Sequence, residues 1–333
     1  VILGSAPGDH SERLDHLGET VRIALESSID VARDDDLQLA LFILYGLNYG
    51  GVVEANGDWE WDPTLIAARS RIERRFEREL RERVPMPELP RAESSAVAAA
   101  LFDLAANDSG PSVSRYVARK ATRDQLIELI VQRSIYTLKE ADPHSWAIPR
   151  LSGRAKAALV EIQADEYGGG DAKRVHAEIF AGTMRALGLD STYGAYVDNV
   201  PAITLASLNM MSMFGLNRRL RGAITGHLAA FEMTSSIPSR FYSNGFRRLG
   251  FGTDVTWYFD EHVEADAVHE QIAAHDLAGS LAEDNPQLVE DIFFGAAACL
   301  AMDGWVGEQM LDAWTAGSSS LIRPLGDQQQ SVR

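Results

Sequence analysis

Three residues in the segment WYFDEHVEADAVHEQIAAH, residues 257–275, have the types and spacing of a metal site: His262, Asp266 and His269. They stand at i, i+4 and i+7, so on an α-helix they fall within about 60° of one another on one face. Two imidazoles and a carboxylate on one stripe suit iron or manganese, with zinc also possible. Asp260, Glu261 and Glu264 fall on the sides and back of the same helix, where a solvated face would put them. The competing reading is a polar helix with two incidental histidines, since both residue types are common on exposed helices.

A metal site in a helical protein needs ligands from several helices. His176 lies ten residues after Glu166, and between them runs Tyr167-Gly168-Gly169-Gly170. Three glycines in a row can unwind a helix and let both side chains turn toward one point. An acid at a helix C-terminus opposes the helix dipole, so Glu166 is poorly placed unless a cation is near. Glu232 is the only acid between Asp198 and Asp254, on a helix of apolar and small residues. Burying it alone would be costly; a metal, Arg240 or His227 could partner it. Glu140 closes the apolar face of QLIELIVQRSIYTLKE and taken alone reads as a surface acid. Tyr258, one turn before His262 on the same face, could hydrogen-bond a ligand, or it could be an ordinary core tyrosine. His10 and His16 fall in an N-terminal stretch expected to be loose, His144 in a loop after Pro143, and His275 on the wrong face. No ExxH pair occurs, which argues against the ferritin-like dinuclear pattern. HExxH, GxSxG, a P-loop and a GxGxxG after a strand are also missing.

The elements that must position these residues read as helices throughout. Helical periodicity begins near Leu14, and the next apolar stretch stops at Gly50-Gly51. Asp62-Pro63 opens a long amphipathic helix as N-cap and first-turn proline. Pro85, Pro87 and Pro90 mark the best linker. Beyond it the expected helices include one running to just before Pro143, one halted by the three glycines, and one restarting near His176. An apolar helix follows Pro201, its methionines reading as core filler. The next is broken at Pro238, the metal helix covers 257–275, and a long apolar helix closes the chain. Period-2 alternation between hairpin turns is almost lacking, and no repeat of fixed period is evident. The expectation is an all-α fold.

Hydrophobic residues make up 46% of the 333 and charged residues 24%, as in an ordinary globular protein. The net charge of −17 argues against nucleic acid and anionic membrane surfaces as partners. The single cysteine, Cys299, excludes an intrachain disulfide and a cysteine-based cluster; its apolar setting predicts a buried small hydrophobe. A reducing cytoplasm is the expected compartment. Neither a signal peptide nor an apolar run of membrane-spanning length is expected.

Together, a carboxylate, EYGGG-x5-H, a lone mid-helix Glu and H-x3-D-x2-H about thirty residues later resemble the haem-oxygenase-like diiron oxidases and oxygenases. The resemblance covers about residues 95–320. It implies a haem-oxygenase-like seven-helix bundle, residues 91–325, with an added N-terminal helical region, residues 1–90, of the kind that helps relatives dimerise. It implies two irons, no haem, and Glu166, His176, Glu232, His262, Asp266 and His269 as ligands. Glu140 matches the further carboxylate of the N-oxygenating branch, such as the enzymes of the streptozotocin and azomycin pathways. On that resemblance the chain is expected to be an O2-dependent N-oxygenase acting through a peroxo-diferric intermediate, with a small amine as substrate, amino-acid-derived or an amino-heterocycle such as 2-aminoimidazole. An external electron donor and a homodimer are the partners it implies. Two other readings stay open. The same cofactor could perform oxidative C–C cleavage or desaturation of an amino or fatty acid, a branch that generally lacks the Glu140 carboxylate. Alternatively the chain is a non-catalytic helical binding protein, which predicts no iron uptake.

Overall fold

Apolar residues at helical spacing build helices along the whole chain, and no strand occurs among the described residues. The computed structural model describes residues 11–50 and 55–325; the side chains of residues 11–13, 15 and 264–267 are outside that description. His10 therefore lies outside the described residues, as does the side chain of Asp266. In chain order the helices are α1 (Ser11–Ser27), α2 (Asp35–Tyr49), α3 (Pro63–Arg83), α4 (Ser94–Ala106), α5 (Val113–Arg119), α6 (Arg123–Thr137) and α7 (Asp142–Ser145). They continue as α8 (Gly153–Glu166), α9 (His176–Ala186), α10 (Ala202–Leu216), α11 (Arg221–Arg248) and α12 (Thr253–Gln271). A π-helix (Ile272–Gly279), α13 (Ser280–Asp284) and α14 (Val289–Thr315) complete the order.

Local chemistry explains several boundaries. The Asp62 carboxylate accepts from the N–H groups of Thr64 and Leu65, and Pro63 occupies the first turn of α3. Thr122 and Gln125 form a capping box at the start of α6. Gly50 ends α2 at φ 71°, open to glycine at no steric cost.

Three elements differ from the sequence reading. α6 stops at Thr137, so Glu140 sits on a turn beyond it. α11 runs unbroken through Pro238. The helix lies at the surface there, with Ile237 66% exposed, so the bond that proline removes is not lost inside a sealed core. The metal helix starts at Thr253 and passes after Gln271 into a π-helix. Ser94 of α4 donates to the His275 carbonyl at 2.8 Å, satisfying an acceptor in that wider turn.

α10 is apolar around its whole circumference and buried on almost every side. Met210, Met211 and Met213 are core, as expected, and Cys299 is buried. The apolar faces of α1–α3, through Val21, Leu41, Ile72 and Phe76, share one cluster with Phe214, Leu228 and Phe293. α11 and α14 cross in backbone contact. A Cβ at Gly226 would overlap the Ile292 carbonyl oxygen, and one at Gly295 the Ala223 carbonyl oxygen.

That crossing should not tolerate a methyl group. Gly226→Ala is expected to destabilise by about 2 kcal/mol or more through forced separation of the helices. Gly304→Ala, on the same α14 with open space around it, should change stability by no more than about 1 kcal/mol, in the stabilising direction. Denaturant midpoints of the two variants check this.

Candidate metal centre

Five elements deliver the polar side chains. Glu140 comes from the turn after α6, Glu166 from the last residue of α8, His176 from the first residue of α9, and Glu232 from the middle of α11. His262 and His269 come from α12, on the face the spacing predicted. All six are buried, none more than 7% exposed. Asp266 is on α12 between the two histidines. Glu140 is thus not the surface acid that its residue type suggests.

The glycine run does the work expected of it. Gly168, Gly169 and Gly170 hold φ of 73°, 60° and 89°, a region that costs other residues strain. A Cβ on Gly168 would lie 2.7 Å from the backbone of Arg174 and Val175. The chain folds back that tightly to bring His176 Nδ1 within 3.0 Å of Glu166 Oε2. α9 is fastened to α12 by Thr183, which donates to the Val255 carbonyl at 3.1 Å, and the turn just before α9 by an Arg174–Glu261 ion pair at 2.9 Å. Glu261 and Asp260, which pairs with Arg247 at 2.5 Å, face away from the centre, as their spacing predicted.

Glu166 belongs to two donor groups. Its carboxylate lies with His176 and His262 in one, and with Glu232 and His269 in the other; within each group the ligating atoms are within 4.8 Å of one another. The His176 and His262 rings are 4.5 Å apart. Glu140 Oε2 stands 4.0 Å from His262 Nε2 and accepts a hydrogen bond from the Tyr258 hydroxyl at 2.7 Å. His262 Nδ1 donates to the Tyr258 carbonyl at 2.7 Å, which leaves Nε2 as the lone-pair nitrogen facing the carboxylates. His269 reaches Asp165 through Nε2 at 2.9 Å and turns Nδ1 toward Glu232 at 3.5 Å. Glu166 Oε2 is met by His176 Nδ1 at 3.0 Å and His269 Nδ1 by Glu232 at 3.5 Å, imidazole against carboxylate in both pairs. A cation held among them would draw on the same lone pairs. Hard carboxylate oxygens with imidazole nitrogens form a donor set suited to iron.

The electrostatics are those of charges kept out of water. Burial, then the charge of Glu166, pushes Glu140 up to about 8. Burial also raises Glu232. Burial pushes Glu166 up too, but His176 and the other imidazoles outweigh it and hold it below the usual carboxylate range. Burial, with His176 alongside, drops His262 to about 4. For His269 burial works downward, yet Glu232 and Asp165 overcome it and lift the imidazole to about 9.

Several supporting residues had no sequence signal. Gln163 of α8 donates to the Ala141 carbonyl at 2.8 Å and to Ser145 Oγ at 2.7 Å, pinning the turn that carries Glu140. Tyr167 reinforces it through Asp142 at 2.9 Å. Asp165 fixes the ring of His269, a task its position beside Glu166 could have suggested. His144 is buried on α7 and meets His227, Nε2 to Nδ1, at 3.2 Å; His227 is therefore not the partner of Glu232. Burial drops His144 to about 4 and His227 well below its ordinary value, so the pair is neutral. His16 is exposed and His275 packs toward Phe102, both outside the centre. Arg240 is exposed. The cavity among Glu140, His144, Gln163, Glu166, Phe231 and Glu232 measures about 10 Å³, room for little more than one water.

A helical bundle whose buried carboxylates and histidines converge defines the class: a helical protein with a candidate metal site. Residues 127–304 match the family of iron-containing redox enzymes, and the chain belongs to that family. The members of that family are redox enzymes, which makes the chain an oxidoreductase. Among curated proteins it is similar to a nitrosourea synthase of Streptomyces achromogenes subsp. streptozoticus, 25% identical over 197 residues, 57% of this chain and 42% of that enzyme. The match thus spans less than half the length of that relative. The fold is haem-oxygenase-like. A CADD-like protein of unknown function from Nostoc punctiforme superposes with a TM-score of 0.53 at 17% identity, covering 66% of this chain and 97% of that one. A domain of unknown function with a heme oxygenase-like fold from Shewanella denitrificans gives 0.50 at 14%, covering 69% and 95%. No helix among the described residues is long and apolar enough to cross a membrane.

Metal uptake should be a proton-releasing step. With folded-state values of about 8 and about 9, Glu140 and His269 both hold protons at neutral pH in the metal-free chain. Ligation needs both deprotonated, so ferrous affinity should rise with pH up to about 9 and uptake at pH 7 should release protons from both groups. Calorimetry in buffers of differing ionisation enthalpy counts them; release of none at pH 7 would contradict these protonation states.

Proposed function

We propose that the centre holds two irons and no haem, and that the enzyme uses O2 to oxygenate the nitrogen of a small amine, giving a hydroxylamine and, with further rounds, nitroso or nitro products. The observation that carries this reading is Glu140: a buried seventh donor, 4.0 Å from His262 and held by Tyr258. Similarity to a nitrosourea synthase, whose product bears an oxidised nitrogen, supports the same direction. In this reading Glu140, His176 and His262 would hold one iron, Glu232 and His269 would hold the other, and Glu166 lies within reach of both groups. Asp266 joins them on the strength of its spacing on α12.

When bound, ferrous iron supplies the electrons and open coordination positions needed to reduce O2. The chain's own residues do the rest. The Tyr258 hydroxyl orients Glu140 while its carbonyl sets the tautomer of His262. Asp165 holds the His269 ring with Nδ1 inward. Gln163 fixes the turn beneath Glu140. The acids and histidines are buried around a cavity of about 10 Å³, which limits the water beside the reacting groups. Each hydroxylation consumes one O2, two electrons and two protons and yields one water, so an external electron donor completes the balance.

The test starts with anaerobic ferrous titration, then exposure to O2 and a reductant with a panel of small amines, products read by mass spectrometry. Two irons per chain and an N-hydroxylated product are expected. Glu140→Ala should weaken uptake of one iron at least about tenfold and abolish N-oxygenation. If Glu140→Ala leaves both unchanged, Glu140 holds no iron and no longer carries the reading; if the iron-loaded wild type N-oxygenates none of the amines, the N-oxygenase reading fails and oxidative cleavage or desaturation takes its place.

A further inference from the structure

The cavity beside the donor groups carries a hydrogen-bond acceptor that no described residue uses. Gln163 of α8 lines that cavity and is 3% exposed. Its amide nitrogen is spent on the turn that carries Glu140, donating to the Ala141 carbonyl at 2.8 Å and to Ser145 Oγ at 2.7 Å. A carbonyl only accepts, so the bond to Ala141 fixes which end of the amide is nitrogen. Both N–H groups are then committed, and the oxygen is the end left over. Gln163 Oε1 is buried, and among the described residues no donor reaches it. A buried acceptor without a donor is costly to keep.

The rest of the wall narrows what could supply that donor. Two other polar side chains of the lining stand outside the donor groups, and both have hydrogen bonds of their own. His144 Nε2 meets His227 at 3.2 Å, and Ser235 Oγ donates to the Glu232 carbonyl at 3.2 Å. Glu166 and Glu232 add carboxylate oxygens, and Leu228 and Phe231 add apolar surface. Acceptors set in hydrocarbon walls suit a group that donates through N–H. Size limits that group further. A cavity of about 10 Å³ holds one water-sized group; an –NH2 head is of that size and a methylated nitrogen is larger. Ala141, Phe231 and Ser235 are each partly exposed, so the cavity reaches toward solvent on their side and leaves a rim where a longer molecule can lie.

We propose that Gln163 Oε1 accepts an N–H of the substrate, and that the cavity takes the unsubstituted –NH2 head of a primary amine, its carbon chain lying at the Ala141–Phe231 rim. Gln163 is then a specificity-determining residue: it selects primary amines over N-alkylated ones. An acceptor built to receive an N–H and buried with no other donor discriminates strongly against a molecule that lacks one. That the nitrogen held there is the one oxidised rests on the N-oxygenase reading; the amine subsite stands on Gln163 and the cavity.

The experiment uses the full chain loaded anaerobically with ferrous iron, so that no turnover is needed. Propylamine and N,N-dimethylpropylamine are titrated by calorimetry into the wild type, Gln163→Met, Gln163→Lys and Ser145→Ala. The wild type should bind propylamine at least about tenfold more tightly than its dimethyl derivative. Gln163→Met removes the acceptor and should abolish that preference. Gln163→Lys keeps a donor for the Ala141 carbonyl but offers no acceptor, so it should abolish the preference even where Gln163→Met loosens the turn. Ser145→Ala loosens the same turn and leaves Oε1 in place, so it should keep the preference. Equal affinities in the wild type overturn the proposal. So does an undiminished preference in both Gln163 variants, which would assign the discrimination to size or to iron alone. A preference lost as fully in Ser145→Ala as in the Gln163 variants also overturns it, since the turn and not the acceptor would then be responsible. Amine selectivity without any N-oxygenated product would leave the subsite standing and count against the N-oxygenase reading alone.

Discussion

Ionisable groups buried together in an apolar bundle set the terms for the rest of this structure. Glu140, Glu166, Glu232, His176, His262 and His269 are all withdrawn from water, and the carboxylates repel one another. Without a cation the cost appears as displaced ionisation: Glu140 and His269 hold protons that free side chains at neutral pH would give up. The chain absorbs part of that cost with hydrogen bonds from the surrounding shell, Tyr258 to Glu140 and Asp165 to His269. What is left is a set of carboxylate oxygens and imidazole nitrogens converging within 4.8 Å, a donor arrangement that suits a metal.

The scaffold must hold such a group against its own repulsion, and it does so with rigid contacts rather than bulk. α11 and α14 touch backbone to backbone at Gly226 and Gly295. That locks the helix carrying Glu232 against the long closing helix. α9 and the turn before it are each tied to α12, so His176 keeps its place beside His262. The tight return at Gly168–Gly170 sets the approach of Glu166 to His176. Each device holds an element that carries one of the buried acids or histidines.

Much of this was legible in the residues. The all-α class, the N-cap at Asp62, the stop at Gly50 and the inward face of α12 all follow from local rules, because caps, turns and helical periodicity depend on near neighbours. Glu166, His176 and Glu232 were legible for a related reason. A glycine run, a misplaced C-terminal acid and a lone acid on an apolar helix each break a local preference, and such breaks mark function. Pro238 misled in the other direction: its local preference for a break lost to a helix already held in place along its length.

What the sequence by itself determined was therefore the list of candidate ligands, the helices beneath most of them, and the kind of ion they would suit. Only the tertiary structure decided that Glu140 is buried, since a turn after α6 swings it inward and Gln163, far along the chain, holds that turn. Tertiary packing alone likewise paired His144 with His227 and gave His269 to Asp165. The physical reason is the same in each case. Burial and pairing of a charge depend on which distant segments close over it, and no spacing along one helix records that.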